Sequence, residues 1–269
     1  MPVLPRQYEP PRPVEVLGLP IRPMRIGELV DLLVQRARAG LRTSVCYANA
    51  YTANLACRDH RFRSVLRECD LLYADGASLV WASRWSDTRL PERMTAADYF
   101  DRFARQCAAE GVSLYLLGGS EGVARETAAR LQAAIPGLSI VGAHHGYFQA
   151  ADSARIIDEI NALRPDVLVL GLSSPRQEFW LAEHAADLAP PVRWCVGGLF
   201  DYVAGKERRA PAWLCRMGGE WLFRLVVDPM GKWRRYLLGN PLFVWNTLSW
   251  AMRRQRTDGG AKAAETAKG

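Results

Sequence analysis

The residues able to do chemistry in this chain stand directly after short apolar runs. They are Asn49, Asp75, Gly118-Gly119, His144-His145, Ser173 to Gln177, and Gly197-Gly198. Asp75 is the carboxylate of the set. Taken by itself, Asp75-Gly76 also reads as an ordinary turn. Ser174-Pro175-Arg176-Gln177 has the form of a helix start, with Ser as N-cap, Pro at the first helical position and Gln at the third. A helix opening there aims backbone N–H groups and a positive dipole end at an anion such as phosphate. The competing reading is that Ser174 and Gln177 only cap each other. Gly118-Gly119-Ser120-Glu121-Gly122 is a weak phosphate-loop signal, because it lacks both the dinucleotide glycine spacing and the P-loop lysine. His145 before Gly146-Tyr147-Phe148 reads as a loop histidine. Arg93 and Asp98 in ERMTAAD can be read simply as an exposed ion pair.

These residues need a scaffold, and the hydropathy pattern supplies one. Apolar runs at Ser44–Ala48, Leu71–Ala74, Val112–Leu117, Leu138–Ala143, Val167–Leu170 and Val192–Val196 are short enough for strands buried on both faces. Helical spacing fills the intervals, as in Arg25–Ala39, Tyr99–Glu110, Val123–Ile135 and Ala151–Leu163. Val14–Ile21 reads as a short strand or hairpin broken at Gly18 and Pro20. Strands alternating with such helices predict an α/β, Rossmann-like, mostly parallel sheet covered by helices on both faces. Ligands of such sheets bind beyond the carboxyl ends of the strands, where all six sites above fall.

Composition narrows the class further. Charged residues make up 23% and hydrophobic residues 49% of the chain, as expected of a globular domain with a large core. Six scattered cysteines without a C-x-x-C pair point to a reducing compartment, with neither a disulfide framework nor a zinc site. The Pro-rich start, MPVLPRQYEPPRP, has no apolar signal region, so the expected location is cytoplasmic. Residues 206–256 hold eleven Lys/Arg against three acids, more than the whole net charge of +7, so the rest is near neutral. That concentration argues against a nucleic-acid surface, which would spread over the domain.

The C-terminal segment changes character. Five of the nine tryptophans (Trp213, Trp221, Trp233, Trp245, Trp250) lie within 211–250, interleaved with Arg216, Arg224, Lys232, Arg234 and Arg235. Leu237–Met252 is the best apolar run, but it contains Asn240, Pro241 and Asn246 and falls short of the ~20 residues of a span. Basic-aromatic helices of this kind fit an anionic membrane surface; a helical subdomain packed on the sheet is the alternative. The expected layout is a flexible lead over 1–13, an α/β catalytic domain over 14–209, a membrane-associating helical appendage over 210–256 and a disordered tail over 257–269.

Taken together, ANAYTANLA, LLYADGASLVW, ERMTAADYF, LYLLGG, HHGYF, GLSSPRQEFW, GGLFDYVAG, RRAPAW, EWLFRL and WRRYLLGNP stand in the order seen in the WecG/TagA/CpsF glycosyltransferases. The chain resembles that family over residues 14–245. The resemblance implies an inverting, metal-independent transfer of a hexosyl unit from a UDP-sugar to an undecaprenyl-diphosphate-linked sugar in exopolysaccharide or surface-glycan biosynthesis. It places the enzyme peripherally on the inner face of the cell membrane, needing no cofactor, and it implies homo-oligomers. By position, Asp75 matches the catalytic base, with Arg93 and Gln177 beside it. Substrate contacts fall at Tyr47, Asn49, Gly118, Gly119, Ser174, Gly197, Gly198, Arg224 and Arg234.

The chain departs from the family at three points. Tyr47 stands where many members have Thr, Ala96 where Gly is common, and Met230-Gly231-Lys232 where a basic residue usually follows Pro229. These departures leave the donor open among UDP-N-acetylmannosamine, its uronic acid and UDP-glucose. A non-catalytic, membrane-bound nucleotide-sugar scaffold or sensor is the rival class. For the opening stretch the expected compromise is that Ser174 caps the helix while Gln177 turns into the pocket beside Asp75.

Overall fold

The structure, a computed structural model, describes residues 9–266. The lead expected over 1–13 therefore lies mostly outside the described residues, as do the last three positions of the expected tail. The chain opens with β1 (Val14–Val16) and β2 (Leu19–Ile21), an antiparallel pair turned at Leu17-Gly18, both at positive φ. There follow α1 (Ile26–Arg38), β3 (Thr43–Ala48), α2 (Ala50–Arg58), α3 (His60–Glu68), β4 (Leu71–Ala74), α4 (Ala77–Ala82) and α5 (Ala96–Glu110). The second half of the domain is β5 (Leu114–Gly118), α6 (Val123–Ala134), β6 (Ile140–His144), α7 (Ser153–Leu163), β7 (Val167–Gly171), α8 (Arg176–His184), β8 (Val192–Cys195) and α9 (Leu199–Val203).

The six strands β3 to β8 form one sheet in the order β4-β3-β8-β7-β5-β6, every pair parallel. The apolar strands alternate between two cores, as a period of two requires. Val45, Tyr73, Leu116, Val169 and Trp194 face α1, α5 and α6. Cys46, Leu72, Leu117, Leu170 and Cys195 face α2, α3, α7 and α8. The sheet is thus covered on both faces, as the alternating pattern predicts. β3 passes the chain outward to β4 at one edge, whereas β7, β5 and β6 lie on the far side of β8. β3 and β8 are adjacent parallel strands, and ligands of such sheets bind beyond the carboxyl ends of the strands. Asn49 follows β3 and Gly197-Gly198 follows β8, so they stand at neighbouring carboxyl ends.

Past Ala210 the chain is helical: α10 (Ala212–Arg216), α11 (Glu220–Val227), α12 (Pro229–Trp233), a π-helical turn over Arg234–Leu238, and α13 (Gly239–Thr266). Asp228 ends α11 and starts α12, its carboxylate accepting from the Gly231 N–H at 2.9 Å. The appendage is seated on the sheet's helices. Phe243 of α13 is buried in the second core, Asn54 of α2 donates to the Gly239 carbonyl at 2.7 Å, and Asn246 donates to Asn54 at 3.0 Å. α13 runs past the boundary at 257, through a stretch rich in the helix formers Ala, Lys and Glu. Among the described residues no helix is long and apolar enough to cross a membrane.

Gly118 and Gly119 have a packing reason for being glycine. At the end of β5, a Cβ on Gly118 would sit 2.4 Å from the Gly171 carbonyl oxygen, and one on Gly119 would sit 2.7 Å from a Val123 methyl. The obstacle at Gly118 is backbone and cannot rotate away. Gly118→Ala is expected to cost on the order of 3 kcal/mol, roughly 6–12 °C in Tm for a chain of this size. Thermal unfolding followed by circular dichroism checks this; an unchanged Tm would contradict the close approach.

Candidate active site

Asp75 directly follows β4. Its N–H donates to the Ala48 carbonyl at 2.8 Å, which extends the β3–β4 ladder and brings the side chain beside Asn49. Asn49 is the N-cap of α2, and its Oδ1 accepts from the Tyr51 and Thr52 N–H groups at 3.0 and 3.1 Å. That leaves Nδ2 to donate to Asp75 Oδ2 at 3.1 Å. One side chain therefore starts a helix and holds the acid. Burial pushes the Asp75 carboxyl above its ordinary value. Hydrogen bonds from Asn49 and Thr95 and the Arg224 charge oppose the shift, while the Glu220 charge adds to it.

Two cavities meet at this carboxylate. The larger, about 400 Å³, extends from Asp75 past Ser78, Trp81 and Arg93 to Trp221, Phe243 and Val244 of the appendage. The smaller, about 270 Å³, lies over Tyr47, Ser173, Ser174, Gly197 and Gly198, walled by Asp201, Tyr202, Glu207 and Lys232. Asn49, Tyr51, Asp75, Thr95, Arg224 and Arg235 line both. Arg93 does not touch Asp75. Its Nη2 pairs with Asp98 at 3.0 Å, and its Nη1 lies 3.4 Å from Thr95 Oγ1 and 3.9 Å from Glu220.

The floor of the smaller cavity is a chain of hydrogen bonds. Tyr47 Oη lies 3.2 Å from Ser174 Oγ, which donates to Glu178 Oε1 at 2.6 Å. Gln177 Nε2 also donates to Glu178 Oε1, at 2.8 Å, and Gln177 Oε1 accepts from the Gly197 N–H at 3.0 Å. Tyr47 leans over Gly197: a Cβ there would stand 2.5 Å from the tyrosine oxygen, and Gly197 has a φ of +62°. The bulk of tyrosine is thus matched to a residue without a side chain. Burial pushes the Glu178 carboxyl up from its ordinary value, against hydrogen bonds from Ser174 and Gln177.

Several sequence expectations need correction at this point. Ser174 does not cap α8. Pro175, joined to it by a cis peptide bond, holds the N-cap position, and the serine hydroxyl serves Glu178 and Tyr47 instead. Gln177 is fully buried and lines neither cavity, because its amide is consumed beneath the floor by Gly197 and Glu178. It shapes the Gly197 turn from below and does not reach into the pocket. Gly118 and Gly119 line neither cavity and serve the strand packing described above. Arg234 turns away from the site and lies over the Trp233 ring at 5.3 Å. Its neighbour Arg235 takes the place expected of it, stacked 4.9 Å over Tyr51. The π-helical turn, which begins at Arg234, sets this phase. Asp75, Asn49, Arg93, Tyr47, Ser174, Gly197, Gly198 and Arg224 do converge on the two cavities.

Sequence reasoning missed Thr95, Tyr51, Glu220, Arg235 and Lys232. The spacing of Glu220 and Arg224 was a readable signal of a helical ion pair, but spacing does not reveal that the pair faces a cavity. Among the described residues no group of three or more His, Cys, Asp or Glu side chains is arranged to hold a metal ion.

Comparison with known proteins gives the family. Residues 14–257 match the family described as "Glycosyl transferase WecG/TagA/CpsF family". The chain is 30% identical over 182 residues to the N-acetylglucosaminyldiphosphoundecaprenol N-acetyl-beta-D-mannosaminyltransferase of Bacillus spizizenii, covering 68% of this chain and 70% of that protein. It is 28% identical over 189 residues to the Bacillus subtilis protein of the same name, covering 70% and 73%. Against the Staphylococcus aureus protein of that name it is 26% identical over 200 residues, covering 74% and 76%. The parallel α/β sheet, the acid at its carboxyl edge and the match along nearly the whole chain lead to one conclusion: the protein is a glycosyltransferase and belongs to the WecG/TagA/CpsF family.

Proposed function

We propose that the protein transfers a hexosyl unit from a UDP-sugar to the sugar of an undecaprenyl-diphosphate-linked acceptor. The reaction inverts the anomeric centre without a metal, at the cytoplasmic face of the membrane, in surface-glycan or exopolysaccharide biosynthesis. The observation that carries this reading is the meeting of two unlike cavities at one carboxylate. The smaller has a polar floor, a glycine turn at Gly197-Gly198 without side chains to obstruct it, and Lys232, Arg224 and Arg235 above, which suits a nucleotide diphosphate and its sugar. The larger is walled by Trp81, Trp221, Phe243 and Val244 and suits an acceptor that arrives on a lipid. The relatives' names state that they act on a diphosphoundecaprenol-linked sugar, which supports the acceptor class.

In this arrangement an acceptor hydroxyl enters from the larger cavity and attacks C1 of the donor sugar. The bond from C1 to the UDP oxygen breaks, UDP leaves with the electron pair, and the hydroxyl proton passes to Asp75. Attack from the side opposite the leaving group inverts C1 and needs only this one base. The cations above the smaller cavity stabilise the charge that gathers on the departing diphosphate. Tyr47 over Gly197 restricts the floor on which the sugar sits, which makes this residue pair the first place to look for donor choice.

The outer side of the appendage supports membrane contact. Met230 is 86% exposed, Val226 71% and Trp245 67%, in a segment that also carries Arg234 and Arg253. Such a surface suits the headgroup region of an anionic bilayer.

Purified protein given a UDP-sugar and a detergent-dispersed lipid-diphosphate sugar is expected to release UDP, with EDTA present. Asp75→Asn should lower kcat by roughly 10²–10⁴ with little change in UDP affinity. UDP-sugar binding without transfer to any lipid acceptor would overturn the reading. Because burial raises the Asp75 pKa and the base works ionised, kcat/KM should fall as pH drops through a value above the ordinary carboxylate range near ~4. Co-sedimentation with anionic vesicles should weaken tenfold or more in Met230→Glu with Trp245→Glu, since each lost apolar contact is worth about 1.5–3 kcal/mol. Equal binding by the double variant would exclude this surface.

A further inference from the structure

Glu220 is a second carboxylate beside the base, and the transfer just described gives it no role. It opens α11, and its Oε1 accepts from Arg224 Nη2 at 2.5 Å and Nε at 3.2 Å. Its Oε2 lies 3.9 Å from Arg93 Nη1. The carboxylate therefore bridges an arginine of the α/β domain and one of the appendage, and it lines the larger cavity together with both.

Two other pairs at the same helical spacing show what an ordinary surface ion pair looks like here. In Arg105–Asp101 the side chains are 57% and 63% exposed, and in Arg130–Glu126 they are 52% and 50% exposed. Arg224 and Glu220 are 23% and 16% exposed. An exposed pair contributes little to stability, because water screens both charges. A sheltered pair aimed at a cavity holds its members in place instead. Arg224 is gripped on its other side as well, with its guanidinium 5.0 Å over the Tyr202 ring. Clamped in this way, it lines both cavities at the level of Asp75.

We propose that Glu220 is a positioning residue for the transfer: its carboxylate holds Arg224 across the junction of the two cavities and places a second negative charge beside Asp75. Both consequences follow from where the group stands. A fixed Arg224 meets the leaving diphosphate without having to be ordered at the moment of reaction. A negative neighbour makes the Asp75 carboxylate hold its proton more tightly, so the base is stronger once ionised. Other charged and titratable groups also face Asp75. Tyr47 comes from β3, Tyr73 from β4, and Tyr99 and the Arg93–Asp98 pair from α5 and the loop before it. Arg224 and Arg235 come from the appendage. Of these, Arg224 is hydrogen-bonded to Glu220, whereas Arg93 stands 3.9 Å from it and is held by Asp98.

The inference rests on Asp75 acting as the base, so the test is a set of pH–rate profiles on the full chain: wild type, Asp75→Asn, Glu220→Gln and Glu220→Asp. Glu220→Gln removes the charge and keeps the shape. It should move the acid limb of kcat/KM to lower pH by on the order of half to one unit, because the weaker base stays ionised further down. Glu220→Asp keeps the charge but is one methylene too short to hold Arg224. It should leave the limb in place and raise the donor KM roughly three- to tenfold. Circular dichroism on each variant reports the fold, and the aspartate variant supplies a second readout should the glutamine variant fold poorly. A Glu220→Gln limb that coincides with the wild type overturns the inference, as does a Glu220→Asp enzyme with wild-type donor KM and kcat. A full-rate Asp75→Asn enzyme would remove the base itself. A collapsed Asp75→Asn rate beside an unmoved Glu220→Gln limb would remove only the role of Glu220.

Discussion

A carboxylate drawn away from water must find hydrogen-bond donors or give up its charge. The bond from Asn49 to Asp75, made across the carboxyl ends of β3 and β4, meets that demand, and much of the site depends on it. Asn49 can donate there only because its carbonyl oxygen is occupied by the first turn of α2. Asp75 is within reach only because its own N–H continues the ladder to Ala48. The acid is thus positioned by two rigid elements and by no flexible side chain. Its proton affinity is then set by the balance of burial and Glu220 against Asn49, Thr95 and Arg224.

That logic explains which parts of the site could be read from the sequence. A parallel sheet collects whatever follows its strands, so six apolar runs were enough to bring Asn49, Asp75, Ser174 and Gly197-Gly198 to one edge. The fold class was legible for the same reason, since strands buried on both faces leave continuous apolar runs. The failures share a different cause, in that one residue type answers two physical needs. Glycine after a strand permits phosphate approach, but at Gly118 it permits the backbone of Gly171 to pass. Gln177 at the third helical position suits capping or substrate contact, and it does neither, because the Gly197 N–H beneath the floor required an acceptor. Spacing within one helix could not reveal that demand from a turn twenty residues away.

Arginine placement in the appendage was illegible for a subtler reason. Arg234 and Arg235 are chemically equivalent, and only helical phase decides which one meets Tyr51. A π-helical turn begins at this point, and its wider turn rotates less per residue and so shifts the phase relative to a regular α-helix. No residue type announces such a turn, so a reading that assumes regular geometry selects the wrong neighbour. Glu220 was overlooked in the opposite way. Its pairing with Arg224 was visible, but an i,i+4 ion pair usually means a solvated surface, and only burial separates this one from Arg105–Asp101.

On the proposed function, the appendage has to satisfy two solvents at once. Its inner residues, Trp221, Arg224, Arg235 and Phe243, complete walls that the α/β domain leaves open. Its outer residues, Val226, Met230 and Trp245, remain exposed. A helix that served only the core would carry one apolar stripe, and one that served only a membrane would carry none of the inward arginines. Ion pairs from Lys232 to Glu207 at 3.5 Å and from Arg254 to Asp87 join it to the domain at two further points. On the proposed function, an acceptor held in the bilayer approaches along the exposed face and meets Asp75 through a wall made by the same helices. The segment that finds the lipid is then also the segment that finishes the cavity, and Arg93 to Glu220 to Arg224 is the line of charge along which the two halves meet.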